Sequence, residues 1–385
     1  MTISEITTAD RLQTVEEYYF SKKLREVRGL AAEGRPIINM GIGSPDLAPS
    51  KPIIESMQNA VLEAGAHQYQ SYQGLPQLRE AISTFYATRF GVEVDPAKEI
   101  LPLMGSKEGI MHISLAFLNP GDEVLIPNPG YPTYTSVTKL VDAVPKYYDL
   151  SEENGWFPDL DVLQQEDLSK VKIMWVGYPH MPTGATADTQ QLARLVAFAR
   201  KNAILLVNDN PYSFVLNEAP TSLLSVEGAK EVALELNSLS KTFNMAGWRV
   251  GMVLGSAEHL EAVLKVKSNM DSGMFYGIQK GAITALQSLQ EWFDGLNTIY
   301  RERRNLIFEL VDKLQCTYDR EAVGMFVWAK LPEGSKPAET FIDEILYEKD
   351  IFIAPGTIFG SNGEGYIRLS LCVTEENIRE AIGRF

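Results

Sequence analysis

The sequence predicts an α/β protein: a mainly parallel central sheet with helices on both faces, joined to a smaller α+β domain. Three observations carry this. Short apolar runs alternate with amphipathic helical stretches from residue 75 to residue 254, the rhythm of repeated strand–helix–strand units. Beyond Gly255 helical patterns dominate, interrupted by strand-like runs at 324–332 and 366–370. A chain of 385 residues also exceeds one core of ordinary size, so a large and a small domain are expected.

Composition narrows the function. Hydrophobic residues make up 45% and charged residues 22%, the balance of a soluble globular chain. A net charge of −15 argues against nucleic acid or an anionic membrane as partner, yet leaves room for a small anion held by local cations. Cys316 and Cys372 form no CxxC and the 4 histidines no metal motif, so a thiol-reducing cytoplasm and no metal are expected. The N-terminus lacks a basic stretch followed by an apolar one, and no run approaches about 18 apolar residues. Neither export nor membrane spanning is expected.

Residues 10–30 mix charged and apolar positions at helical spacing, and Gly34-Arg35-Pro36 ends the pattern. Gly41-Ile42-Gly43-Ser44-Pro45-Asp46 follows. Its glycines imitate a dinucleotide-binding turn, but Pro45 and Asp46 stand where a helix should open; a plain glycine-rich turn is the alternative. Residues 75–90 form an amphipathic helix with Leu78, Ile82, Phe85 and Tyr86 on its core face. Residues 100–104 read as a strand, and Gly105-Ser106-Lys107-Glu108 opens the next helix. Free N–H groups and the positive dipole end at such a start suit a phosphate, although many α/β turns of this shape bind nothing.

Asn119-Pro120-Gly121-Asp122 turns into a strand at 124–126, and Pro129-Gly130-Tyr131-Pro132-Thr133-Tyr134 follows as a proline-rich loop. Residues 172–177 are a buried strand ending in Tyr178-Pro179-His180-Met181-Pro182-Thr183-Gly184. An acid-capped helix at 188–201 leads to an apolar strand at 203–207, closed by Asp209 and Tyr212. A carboxylate at a buried strand end invites a cation, and a protonated ring nitrogen is one; a helix cap is the other reading.

The strand at 232–236 delivers Ser238-Leu239-Ser240-Lys241, which continues to Gly247-Trp248-Arg249-Val250-Gly251. Lys241 follows a buried strand among small hydroxyl residues, where burial lowers an amine's pKa and frees it to form a Schiff base. Ser238, Ser240 and Arg249 add two hydroxyls and a permanent cation, the set expected around a phosphate monoester. Lysine plus phosphate points to pyridoxal 5'-phosphate. Alone, the segment fits an exposed loop lysine and a surface arginine equally well. Helices are then expected at 257–270, at 275–292 and, highly charged, through Arg304, with a loop at 355–360 before the last strand.

Ser238-x-Ser240-Lys241 followed by Gly247-x-Arg249-x-Gly251 resembles the signature of the fold-type I pyridoxal-phosphate-dependent aminotransferases, class I/II. The order Tyr69, Gly105 to Lys107, Tyr131, Pro182 to Gly184, Asp209, Tyr212, Lys241, Arg249, Arg368 extends that resemblance over nearly the whole chain. It implies that Lys241 is the Schiff-base lysine and proton shuttle, with Asp209 at the ring nitrogen and Tyr212 donating to the ring's phenolic oxygen. It implies Tyr131 stacked on the ring, and Gly105, Ser106, Lys107, Ser238, Ser240 and Arg249 around the phosphate. Ile42 and Gly43 would face the substrate, and Arg368 would grip its α-carboxylate through two parallel hydrogen bonds, unless it serves as a structural ion pair. Tyr69 would reach the phosphate of the neighbouring subunit in a homodimer with shared active sites. The implied reaction moves an amino group between an L-amino acid and a 2-oxo acid by a ping-pong cycle, with glutamate/2-oxoglutarate as one pair. A large cofactor-binding domain at 46–285 and a small domain from 1–45 and 286–385 are expected.

One position departs from that pattern. Where the family has an asparagine donating to the phenolic oxygen, this chain has Met181, and a thioether is a poor donor. Tyr212 is then the only side-chain donor expected there, and His180 a substrate-side or structural neighbour. Three rivals remain: a carbon–sulfur β-lyase or a cyclopropane-forming synthase using the same lysine, a sensor domain of a transcription factor, and an α/β binding protein without chemistry. The roughly 40 residues ahead of the Gly41 turn are too few for a sensor's winged helix.

Overall fold

A 7-stranded sheet organises the computed structural model, which describes residues 6–385 other than Glu16 and Tyr18. From the N-terminus the chain forms α1 (Tyr19–Ala32), β1 (Ile38–Asn39), α2 (Lys51–Ala60) and α3 (Pro76–Phe90). Prolines open α2 and α3, where a missing N–H costs nothing, and Gly91 closes α3 in the left-handed region at φ 66. Then come β2 (Ile100–Leu103), α4 (Ser106–Phe117), β3 (Glu123–Asn128), α5 (Pro132–Leu140), β4 (Val144–Asp149), α6 (Leu160–Leu163) and β5 (Val171–Val176). The helix α7 (Thr189–Asn202) starts on a capping box between Asp188 and Gln191, as its acid-first sequence foretold. β6 (Leu205–Asp209), β7 (Ala233–Ser238), the single turn α8 (Leu239–Thr242) and β8 (Gly251–Gly255) complete the sheet.

The strand order is β2-β8-β7-β6-β5-β3-β4, parallel throughout except for β8, which runs against both neighbours. Apart from the half-exposed edge strand β4, its strands are buried on both faces, which explains their apolar runs. Met174 and Leu206 join Leu192 and Leu195 of α7 on one face, while Trp175 and Val207 pack with Ile110 and Ile113 of α4 on the other.

The remaining third contains α9 (Ala257–Lys267), α10 (Tyr276–Leu286), α11 (Gln290–Lys313), β9 (Thr317–Tyr318), β10 (Phe326–Lys330), α12 (Ala338–Lys349), β11 (Ile351–Phe352), β12 (Ala354–Pro355), β13 (Tyr366–Ser370) and α13 (Glu375–Gly383). A 4-stranded antiparallel sheet, β12-β13-β10-β9, packs here against α11 and α12. β1 pairs in parallel with β11, Ile38 opposite Ile351, so the N-terminal segment shares this core.

Several expected boundaries move: the helical pattern at 10–30 becomes a 3-10 turn at Asp10–Gln13 and a helix that begins at Tyr19, and the helix expected at 257–270 ends at Lys267. The helix expected across 275–292 is two: α10 stops at Leu286, Leu289 is extended, and Trp292 belongs to α11, which runs past Arg304 to Lys313. Leu286, Leu289 and Phe293 keep an apolar rhythm across the break, which hides the Gln287-Ser288 turn. The strand expected from Ala203 begins at Leu205, because Ala203 takes φ 53 to close α7 without a glycine. No helix of the described residues is long and apolar enough to cross a membrane.

Candidate active site

Sheet register assembles the site. Ser238 pairs with Gly251 and Leu103 pairs with Gly251, so the connection carrying Lys241 and Arg249 emerges beside the β2–α4 turn. Asp209 pairs with Leu236 at the end of β6, one strand away. A pocket of about 570 Å³ lies along these strand ends, where open α/β sheets place their ligands. Ile42 and Gly43, from the N-terminal turn, line it as well.

Lys241 sits in α8, and its Nζ donates to the Gly43 carbonyl at 2.5 Å, across 198 residues of sequence. Burial lowers its pKa, and the guanidinium groups of Arg368 and Arg249 add to that effect. A lowered amine pKa raises the fraction of unprotonated, nucleophilic nitrogen at neutral pH.

Asp209 is 8% exposed. Its Oδ2 accepts from Tyr134 Oη at 3.1 Å, while Oδ1 is buried with no partner among the described residues. Burial pushes the carboxyl up to about 6, against the lowering effect of the tyrosine hydrogen bond. Tyr134 is itself fixed by a stack on Trp175, centroids 4.9 Å apart at 6°, and meets Tyr131 edge-on at 5.6 Å. Tyr212, across the pocket lining, packs on Phe326, and burial raises its phenol so that it remains a donor at neutral pH. His180 is buried with Nδ1 2.8 Å from Thr183 Oγ1, and desolvation pushes it down to about 4, so it is a neutral wall residue at pH 7.

At the opposite end, Gly105 precedes α4 with φ 92, and a Cβ built there would lie 2.1 Å from Arg249 Nη2. Only glycine lets the arginine close on this helix start. Among the described residues no side chain caps that end, and Ser106 and Lys107 of its first turn line the pocket. Ser238 Oγ donates to Ser240 Oγ at 2.7 Å and accepts from the Ser240 amide at 3.1 Å. Burial and the nearby Arg249 both lower the Lys107 pKa.

Arg368, in β13, is 4% exposed. Its Nη2 donates to the Gly41 carbonyl at 2.7 Å and its Nη1 to Met181 Sδ at 3.4 Å. The guanidinium carbon stands 3.9 Å from the Phe326 ring centroid and 4.7 Å from that of Phe359. Tyr69 is 90% exposed and stands outside the pocket.

Several participants escaped the sequence reading. Tyr134 had a signal, three residues after Tyr131 and thus on the same side of the first turn of α5. Phe20 and Leu24 of α1, and Phe326 and Phe359, line the pocket with no signal beyond ordinary apolar periodicity.

A profile of the family "Aminotransferase class I and II" matches residues 35–385. The chain belongs to the class I and II aminotransferases. It is 41% identical over 383 residues to the LL-diaminopimelate aminotransferase of Maridesulfovibrio salexigens, covering 99% of this chain and 98% of that one. It is 39% identical to the protein of that name from Aquifex aeolicus, covering 98% and 97%. Among solved structures, BacF of Bacillus subtilis superposes with a TM-score of 0.94 at 37% identity, covering 99% of this chain and 97% of that one. An aspartate aminotransferase mutant of Thermus thermophilus does so with 0.92 at 25%, covering 99% of each. This aminotransferase therefore uses pyridoxal phosphate to exchange an amino group between an amino acid and a 2-oxo acid.

The pocket's residues fit that cofactor. The Asp209 Oδ1, without a partner among the described residues, matches a ring N–H, the helix start with Arg249 and Lys107 matches a phosphate dianion, and Lys241 lines the same pocket.

Proposed function

We propose that Lys241, Asp209 and Tyr212 carry the transamination and that Arg368 holds the α-carboxylate of both amino acid and oxo acid. The observation that supports this most is the unpartnered, buried Asp209 Oδ1 sharing a pocket with the Lys241 ammonium. Pyridoxal phosphate, when bound, supplies a ring that accepts electron density from the donor's α-carbon. Asp209 would hold the ring nitrogen protonated, and Tyr212 Oη would donate to the phenolic oxygen. Tyr131 would lie against the ring face. Gly105, Ser106, Lys107, Ser238, Ser240 and Arg249 would cradle the phosphate.

Arg368 orients the donor so that its α-hydrogen faces Lys241 Nζ, whose lowered pKa lets it accept that proton as a general base. The same nitrogen returns a proton when the skeleton leaves as an oxo acid. Ile42 and Gly43 bound the substrate side, and the Gly43 carbonyl accepts from Lys241 Nζ when the lysine is unattached.

We further propose a cytoplasmic homodimer in which Tyr69, exposed on its own subunit, completes the neighbour's phosphate site. The cofactor domain would span 46–285, with both termini forming the smaller one. Glutamate/2-oxoglutarate is proposed as one substrate pair, and the names of the most similar relatives make LL-diaminopimelate a donor to test. Product assays with and without 2-oxoglutarate decide the reaction type: oxo-acid release that requires the acceptor supports transamination, and steady release without it would indicate β-elimination instead.

A further inference from the structure

Arg303, in α11, is 2% exposed and stands outside the pocket lining, yet each nitrogen of its guanidinium donates a hydrogen bond. Nη1 and Nη2 reach Asp46 Oδ1 and Oδ2 at 2.7 and 3.0 Å, a bidentate pair spanning 257 residues of sequence. Nε donates to Glu375 Oε1 at 2.8 Å, in the first turn of α13, and Nη1 donates as well to the Leu371 carbonyl at 3.1 Å. Leu371 directly follows β13, the strand that carries Arg368. One buried guanidinium therefore ties the turn ending at Asp46 to the end of that strand.

The turn from Gly41 to Asp46 is held at both ends. Its entrance is set by backbone bonds, Met40 N to the Phe352 carbonyl and Ser370 N to the Met40 carbonyl, both at 2.8 Å. Its exit is set by the Asp46 pair, and residues 42–46 lie outside helix and strand. Between these anchors the Gly41 carbonyl accepts from Arg368 Nη2 at 2.7 Å and the Gly43 carbonyl from Lys241 Nζ at 2.5 Å. There is little slack here. A Cβ built on Gly43 would lie 2.3 Å from Phe326 Cζ, and the same ring's centroid stands 3.9 Å from the Arg368 guanidinium carbon. A displaced turn thus moves the acceptors of Lys241 and Arg368 together. Given that Lys241 moves the proton and Arg368 holds the α-carboxylate in the aminotransferase reading, we propose that Arg303 is a positioning residue for the reaction. It acts through Asp46, holding the turn whose two carbonyls set the lysine and the arginine, and touches neither substrate nor cofactor.

The test uses holoenzyme and single half-reactions followed by the absorbance of the bound cofactor, with the common amino acids and LL-2,6-diaminopimelate as donors. Asp46→Asn is expected to cut the best donor's rate per unit concentration at least tenfold with cofactor affinity unchanged, since a misplacement of about 1 Å by a remote change costs on the order of 100-fold. Glu375→Gln weakens the same guanidinium without touching the turn. It is expected to stay within about threefold of the parent, whatever melting temperature it loses, because a partly exposed ion pair remote from the reacting parts bears on stability alone. In Arg303→Lys a single ammonium replaces the fork, so the Asp46→Asn loss should recur. Both changes together should add little to either, because one contact is removed twice. Parent-like rates in Asp46→Asn, or an equal loss in Glu375→Gln, overturn the positioning role and leave the aminotransferase assignment standing. A parent that shows no half-reaction with any donor overturns both. Should Asp46→Asn fail to fold, Asp46→Glu keeps the charge but adds a methylene that displaces the turn, and parent-like rates in that variant overturn the role as well.

Discussion

Met181 Sδ lies 3.4 Å from Arg368 Nη1, across 187 residues of sequence. Where related enzymes place an amide beside the cofactor, this chain sets a polarisable sulfur on the guanidinium proposed to grip substrate. The contact joins Phe326 and Phe359 in packing Arg368, so its planar fork is held before any carboxylate arrives. A pre-set fork loses less side-chain freedom on binding.

Arg368→Ala is expected to weaken amino-acid and oxo-acid binding together while leaving the cofactor spectrum intact. Losing one side of a buried charge pair costs roughly 2–5 kcal/mol, or about 30-fold or more in affinity. Half-reaction kinetics at varied donor concentration measure it, and unaltered half-saturation would remove Arg368 from the carboxylate site.

Lys241→Ala should retain the cofactor non-covalently and lose turnover by several orders of magnitude, because attachment and proton transfer depend on one nitrogen. Borohydride reduction of the parent followed by peptide mapping checks the premise. A label on any other lysine rejects the assignment.

Gly105→Ala forces a side chain toward Arg249 Nη2, 2.1 Å from the built Cβ, at a φ of 92 that alanine rarely adopts. Arginine must withdraw from the helix start. Cofactor affinity, read by equilibrium dialysis, is expected to fall at least tenfold, with free phosphate competing less well in the variant than in the parent. An equal affinity would place the phosphate elsewhere.

Lysine, aspartate and arginine were legible because each is chemically unusual at a buried strand end, and so few residue types suit the task. The walls were not. Phe20 is one of 16 phenylalanines on an ordinary amphipathic stretch, and it enters the pocket only because β1 pairs with β11 and carries α1 over β13. The direction of β8 was equally hidden. Its link to β7 is consumed by the lysine turn, leaving no crossover helix, so the strand returns antiparallel. Tyr134 illustrates a third case: its hydroxyl meets Asp209 across 75 residues, and only the parallel register of β3, β5 and β6 sets that distance.

Asp209→Asn tests the buried carboxyl in protein freed of cofactor. Without a cation beside it, burial holds Asp209 at about 6 rather than its ordinary 3.8. The folded chain then binds that proton more tightly than the unfolded chain, so the stability it contributes is full below pH 3.8 and is lost as pH rises through about 6. Asparagine stays neutral and avoids the loss. Above pH 7 the cofactor-free variant should exceed the cofactor-free parent by on the order of 3 kcal/mol, about two pKa units at 1.4 each, and below pH 4 by little. Urea unfolding at pH 4 and pH 8 measures this. Equal differences at both would mean that the folded chain keeps the carboxylate ionised.

Met181→Asn probes both neighbours of position 181 at once. A hydrogen-bond donor near the ring's phenolic oxygen drains charge from it, which eases loss of the proton that this oxygen shares with the lysine nitrogen. The midpoint at which the bound cofactor's absorbance titrates should therefore fall. A charge-assisted hydrogen bond is worth roughly 1.5–3 kcal/mol and one pKa unit about 1.4, and only part of the bond reaches that proton. A fall on the order of one unit is expected. The asparagine also gives up the sulfur contact with Arg368, so half-saturation for the donor should rise a few-fold while cofactor affinity holds. A spectrophotometric titration and donor kinetics on the same preparation separate the two effects. If the midpoint stays or rises while half-saturation changes, position 181 acts through Arg368 alone, and the ring oxygen has another donor.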